Sequence, residues 1–88
     1  MTKKRKLLAK ILNNQRNVSF NDIVTLVEAF GFYQSRVGGS HHVFEHPDIP
    51  ELVNLQNQKG QAKSYQIRQF LTLLEQYSLT IKDAGEKE

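Results

Sequence analysis

Over the first thirty positions, apolar residues recur at the spacing of helices. Residues 3–14 carry theirs at Leu7, Leu8, Ile11 and Leu12, one narrow stripe, and Asn13-Asn14 offers a stop. The second helix is better marked. Ser19 is placed as an N-cap with Asp22 three residues on, an S-x-x-D variant of the capping box. Phe20, Ile23, Val24, Val27 and Phe30 keep helical spacing, and Gly31 is placed to end the helix as a C′ glycine. From residue 32 the period shortens. Residues 32–37 read as a strand, Gly38-Gly39 as a tight turn and residues 40–46 as the hairpin partner. Pro47-Asp48 and Pro50 predict a loop, because proline cannot donate to a ladder. Residues 52–56 alternate as a third short strand, and the polar stretch 57–63 around Gly60 reads as a flexible loop. Ser64 is placed to open a last helix, whose Ile67, Phe70, Leu71, Leu74 and Tyr77 follow i, i+3, i+4, i+7, i+10. Residues 82–88 read as a charged, disordered tail.

Helices on one face of a three-stranded antiparallel sheet predict a two-layer α+β domain. Residues 19–81 carry the order α-β-β-β-α, which is similar to the double-stranded RNA-binding domain. Residues 1–18 add an extra basic N-terminal helix or arm, whose docking the pattern does not place. A chain of 88 residues suffices for one domain with a small core. Phe20, Phe30, Phe70 and Tyr77 are assigned to that core by their spacing. Phe32, Tyr33 and Phe44 are expected to pack under the helices, with base stacking as the alternative. Tyr65 is the first choice for a solvent-facing aromatic.

Charge placement adds a partner class. The net charge is +3, yet residues 1–18 hold Lys3, Lys4, Arg5, Lys6, Lys10 and Arg16 with no acid. The remainder holds six bases against nine acids, so a basic arm sits on a mildly acidic body. That asymmetry points to a polyanion, nucleic acid first and acidic protein second; a solvated basic terminus is the plain alternative. The chain has no cysteine, which excludes disulfides and thiolate metal sites and favours an intracellular location. No apolar run approaches the roughly 20 residues that span a bilayer, and no signal peptide is read from the basic start.

All three histidines fall within six positions, in Gly38-Gly39-Ser40-His41-His42-Val43-Phe44-Glu45-His46-Pro47-Asp48. Strand alternation puts His41 with Val43 and Glu45, and His42 with Phe44 and His46, without saying which face meets solvent. A metal site is disfavoured, since His42 and His46 lie roughly 13 Å apart along a strand and His41 and His42 diverge. A serine triad is disfavoured too, because Ser40 and His41 are strand neighbours. The chemistry needing least apparatus is cleavage of RNA, whose own 2′-hydroxyl is the nucleophile. One imidazole then moves the proton while a cation steadies the phosphate. Half-buried structural histidines are the alternative.

The run Gly39-Ser40-His41-His42-Val43-Phe44-Glu45-His46-Pro47, then Lys59-Gly60 and Lys63-x-x-x-Ile67-Arg68-x-x-Leu71, resembles the HicA-type mRNA interferase toxins. The resemblance spans about Ser19 to Tyr77 and implies a metal-independent endoribonuclease, the toxin of a toxin–antitoxin pair, with no cofactor. It implies that His41, after the Gly-Ser pair, is catalytic, and that His46 before Pro47 has a structural role at the strand end. It further implies RNA contacts at Gly39, Ser40, Lys59, Lys63 and Arg68, and phosphate favoured at the start of the last helix; His42, at a position variable in the family, is a backup or RNA-contacting candidate. Lys3, Lys4, Arg5 and Lys6 are added as RNA-binding candidates from their charge. The implied partners are mRNA and a HicB-type protein antitoxin in the cytoplasm, with no membrane and no DNA contact by the toxin alone. A non-catalytic RNA-binding module, or an assembly domain using the basic helix, remain as alternatives.

Overall fold

The computed structural model describes residues 3–81. The predicted tail 82–88 lies outside them. Its elements are α1 (Lys3–Asn13), α2 (Phe20–Ala29), β1 (Tyr33–Gly38), β2 (His41–His46), β3 (Ile49–Gln56) and α3 (Ser64–Gln76). The strands form one antiparallel sheet in the order β1-β2-β3. The domain is therefore α+β with the α-β-β-β-α order of the double-stranded RNA-binding domain, preceded by α1.

The helix ends follow from local chemistry. The Ser19 hydroxyl accepts the Asp22 N–H at 3.1 Å, capping α2. At the other end Gly31 takes φ 97°, its N–H bonds the Glu28 carbonyl, and the Phe32 N–H bonds that of Val27. This is a Schellman closure, and glycine meets its left-handed backbone without steric cost. In α1 the Gln15 amide donates to the Ile11 and Leu12 carbonyls and closes the last turn.

The core lies between the helices and one face of the sheet. Phe44, Val53 and Leu55 meet Ile23, Leu26, Val27, Ile67 and Phe70, and Phe70 packs edge-on against Phe30 and Phe32. Ile11 of α1 is fully buried in the same cluster, so α1 is docked, although Leu12 of the expected stripe is 56% exposed. Tyr77 is half-buried, and its hydroxyl lies 2.6 and 2.7 Å from the two carboxylate oxygens of Glu51.

Three local readings are corrected. The first turn is Gly39-Ser40, one residue later than expected: Gly38 pairs with His41, and Gly39 carries the positive φ of 60° that a type II′ hairpin requires at its first position. The second turn is Pro47-Asp48 alone, so β3 begins at Ile49 and contains Pro50. Pro50 is tolerated because β3 is an edge strand, where its missing N–H costs no ladder bond. The stretch 57–62 is an ordered turn. Gln58 and Gln61 exchange backbone bonds around Lys59 (φ 52°) and Gly60 (φ 85°), and Asn57 Oδ1 accepts the Gly60 N–H. Bonds from the Phe20 N–H to the Gly60 carbonyl and from the Ala62 N–H to the Val18 carbonyl tie this turn to the start of α2.

Candidate functional site

The ladder assigns each histidine a different environment. Phe44, on the parity of His42 and His46, is completely buried, so that face is the one the helices cover. His41, Val43 and Glu45 therefore lie on the open face. His41 is exposed there, immediately after the Gly39-Ser40 turn. Its partners are Gly38 on β1 and Gln56 on β3. The turn is itself held, since the Asn57 N–H bonds the Ser40 carbonyl at 2.8 Å. A rigid corner thus presents one imidazole to solvent.

His46 is packed and hydrogen-bonded at both nitrogens. Its Nδ1 accepts the Asp48 N–H at 3.0 Å, so Nε2 carries the proton and donates to the Phe30 carbonyl at 3.1 Å. The ring stands edge-on to Phe32 at 4.9 Å and is 4% exposed. It joins the Pro47-Asp48 turn to the end of α2. His42 is half-buried: its ring lies 4.7 Å from that of Phe20, and its Nδ1–H donates to Gln34 Oε1 at 2.9 Å. It looks away from His41, on the helix side of the sheet.

The expected cations are spread over several elements. Lys63 is the N-cap residue of α3, and the first turn of that helix meets the end of β3. The link is Gln66, a buried polar residue that sequence reasoning missed. Its Oε1 accepts the Gln56 N–H at 2.8 Å, a donor on the outer edge of the sheet. Lys59 is exposed in its turn. Arg68 is exposed and lies two residues, about 200° of helix, from the buried Phe70, so it projects from the outer side of α3. Arg5 borders a groove shared with Phe30, Leu74 and Ile81. That is the Phe30 end of the domain, separated from His41 by the length of β1, about 20 Å. Lys3, Lys4 and Lys6 start the same helix.

A second residue missed from the sequence is Arg36, exposed and paired with Val43 on the open face. Alternation from the buried Phe32 assigns it to the wrong side, because a bulge at Ser35 shifts the parity. Among the described residues no three His, Cys, Asp or Glu side chains gather to share a metal ion, and no helix is long and apolar enough to cross a membrane.

An exposed imidazole on the open face of an α-β-β-β-α domain is a candidate nucleic-acid site. Residues 20–85 match the family model described as the HicA toxin of bacterial toxin–antitoxin systems. The chain belongs to that family, and the match leaves α1 outside it. No curated protein and no solved structure matches the chain.

Proposed function

We propose that the chain is an endoribonuclease that cleaves mRNA in the cytoplasm as the toxin of a toxin–antitoxin pair, with His41 as its acid–base group. The observation that carries this reading is the isolation of His41: it is exposed on a rigid ladder beside a glycine, whereas His42 and His46 face the helix layer. In the reaction the RNA 2′-oxygen bonds to phosphorus as the P–O5′ bond breaks, leaving a 2′,3′-cyclic phosphate and a 5′-hydroxyl. The 2′-hydroxyl gives up one proton and O5′ gains one. His41 takes part in one of these transfers, with water in the other, a contribution of about 10²- to 10⁴-fold.

Because the nucleophile belongs to the substrate, no metal is required to generate it. Lys63 and the free N–H groups of the first turn of α3 suit a phosphate near Gln56. Gly39 and Ser40 would approach the RNA through the turn, while Lys59 and Arg68 would meet only flanking nucleotides and His42, turned to the helix side, would stay off RNA on the open face. Lys3, Lys4, Arg5 and Lys6, at the other end of the domain, would hold RNA well away from the scissile bond. A HicB-type antitoxin would inhibit by covering the open face. Cleavage assays on wild type and His41→Ala, with a chelator present, test the reading. Undiminished cleavage by His41→Ala would refute it.

A further inference from the structure

The open face holds a row of residues besides His41. β2 presents His41, Val43 and Glu45 there, and their ladder partners on β1 are Gly38, Arg36 and Tyr33. Tyr33 and Arg36 are three residues apart, a spacing that in a regular strand sends side chains to opposite faces. The irregularity between Gln34 and Arg36 absorbs Ser35, and both come out on the side of His41. Gln34 agrees with this parity from the other face, where it bonds His42. The Ser35 hydroxyl holds the bulge by donating to the Val43 carbonyl at 3.3 Å.

Position gives these two residues a chemistry. Arg36 is the diagonal neighbour of His41, about 7–8 Å away between side-chain origins, far enough to reach the phosphate adjoining the one at His41. Tyr33 lies one pleat further on and, contrary to the expected packing under the helices, is 51% exposed. Glu45 stands opposite Tyr33, so its carboxylate repels phosphate from that end and leaves it to an uncharged base. From the hairpin tip, the row reads imidazole, guanidinium, phenol.

We propose that this row binds a single-stranded segment of RNA, Arg36 holding a phosphate next to the scissile one and Tyr33 stacking the base beyond it. The proposal rests on the RNA-cleaving reading above and adds the residues that select unpaired RNA. Every base has a π-face for Tyr33 to stack on, but a duplex keeps its base faces covered. Bulges are frequent beside active sites because they re-aim a side chain, and the Ser35 bulge re-aims Arg36.

The test uses the full chain carrying His41→Ala to slow cleavage, and measures binding of a labelled single-stranded oligoribonucleotide and of a hairpin duplex. Adding Tyr33→Leu is expected to weaken single-strand binding about tenfold, while Tyr33→Phe, which keeps the ring, retains it. Adding Arg36→Ala is expected to weaken binding and to flatten the dependence of log K on log salt by about 0.7. Both residues are exposed, and circular dichroism checks that each variant is folded. Equal affinity for the duplex, or binding untouched by Tyr33→Leu and Arg36→Ala, overturns the proposal while leaving cleavage by His41 standing. No RNA binding together with no cleavage by the wild type overturns both.

Discussion

Gly38 stands directly across the β1–β2 ladder from His41, and nothing lies within 4 Å of where a side chain at Gly38 would begin. The imidazole therefore has an open slot on its β1 side. Glycine is not required there by the backbone, since the positive φ of this hairpin belongs to Gly39.

Filling that slot separates access from folding. Gly38→Val puts a good strand former into an extended position, so stability should change by no more than about 1 kcal/mol. Cleavage should fall at least about tenfold, because the substrate is pushed off its geometry at His41. Thermal unfolding and RNA cleavage on the same sample check both halves.

His46 should behave in the opposite way. His46→Ala removes the donor to the Phe30 carbonyl and the acceptor of the Asp48 N–H, and leaves a gap beside Phe32. We expect a loss of about 2–4 kcal/mol in denaturant unfolding. Under conditions where the variant remains folded, cleavage should persist; its loss there would shift the acid–base role towards His46.

Gln66 anchors α3 to the strand that carries Gln56, the β3 partner of His41. Gln66→Leu keeps the volume but leaves the Gln56 N–H without its acceptor. The expected cost is about 1–3 kcal/mol. The Gln56 amide should exchange hydrogen faster than in wild type.

At the opposite end of β3, Tyr77 is held neutral. Its hydrogen bond to Glu51, then burial, then the charge of Glu51 raise its pKa above 10.0. A raised folded-state pKa contributes stability that is fully present below the unfolded value and is lost as pH rises through the folded one. Stability should therefore fall as pH climbs above about 10, and Tyr77→Phe should flatten that fall. Unfolding curves between pH 9 and 11 (about one unit either side of a free phenol's pKa) provide the measurement.

The elements were legible where the signal is local. Ser19 and Gly31 mark the ends of α2 through caps that need only a few neighbouring residues, and alternation correctly grouped His41 apart from His42 and His46. What escaped was set at a distance. Gly38-Gly39-Ser40 allows two turn positions, and the ladder selects the later one while Asn57 bonds Ser40. The stretch 57–62 looks flexible by composition, but its order comes from partners at Val18 and Phe20. Pro50 reads as a breaker until its strand is known to be an edge. Arg36 was hidden because a bulge leaves no mark in a period-two pattern.

The proposed cleavage depends on one exposed imidazole moving the proton. The most direct measurement compares wild type and His41→Ala on an mRNA substrate with a chelator present, followed by analysis of the new ends. Wild type is expected to cleave to 2′,3′-cyclic phosphate and 5′-hydroxyl ends, and a fully folded His41→Ala to do so about 10²- to 10⁴-fold more slowly. Cleavage by His41→Ala at the wild-type rate, or its abolition in wild type by the chelator, would refute this role of His41.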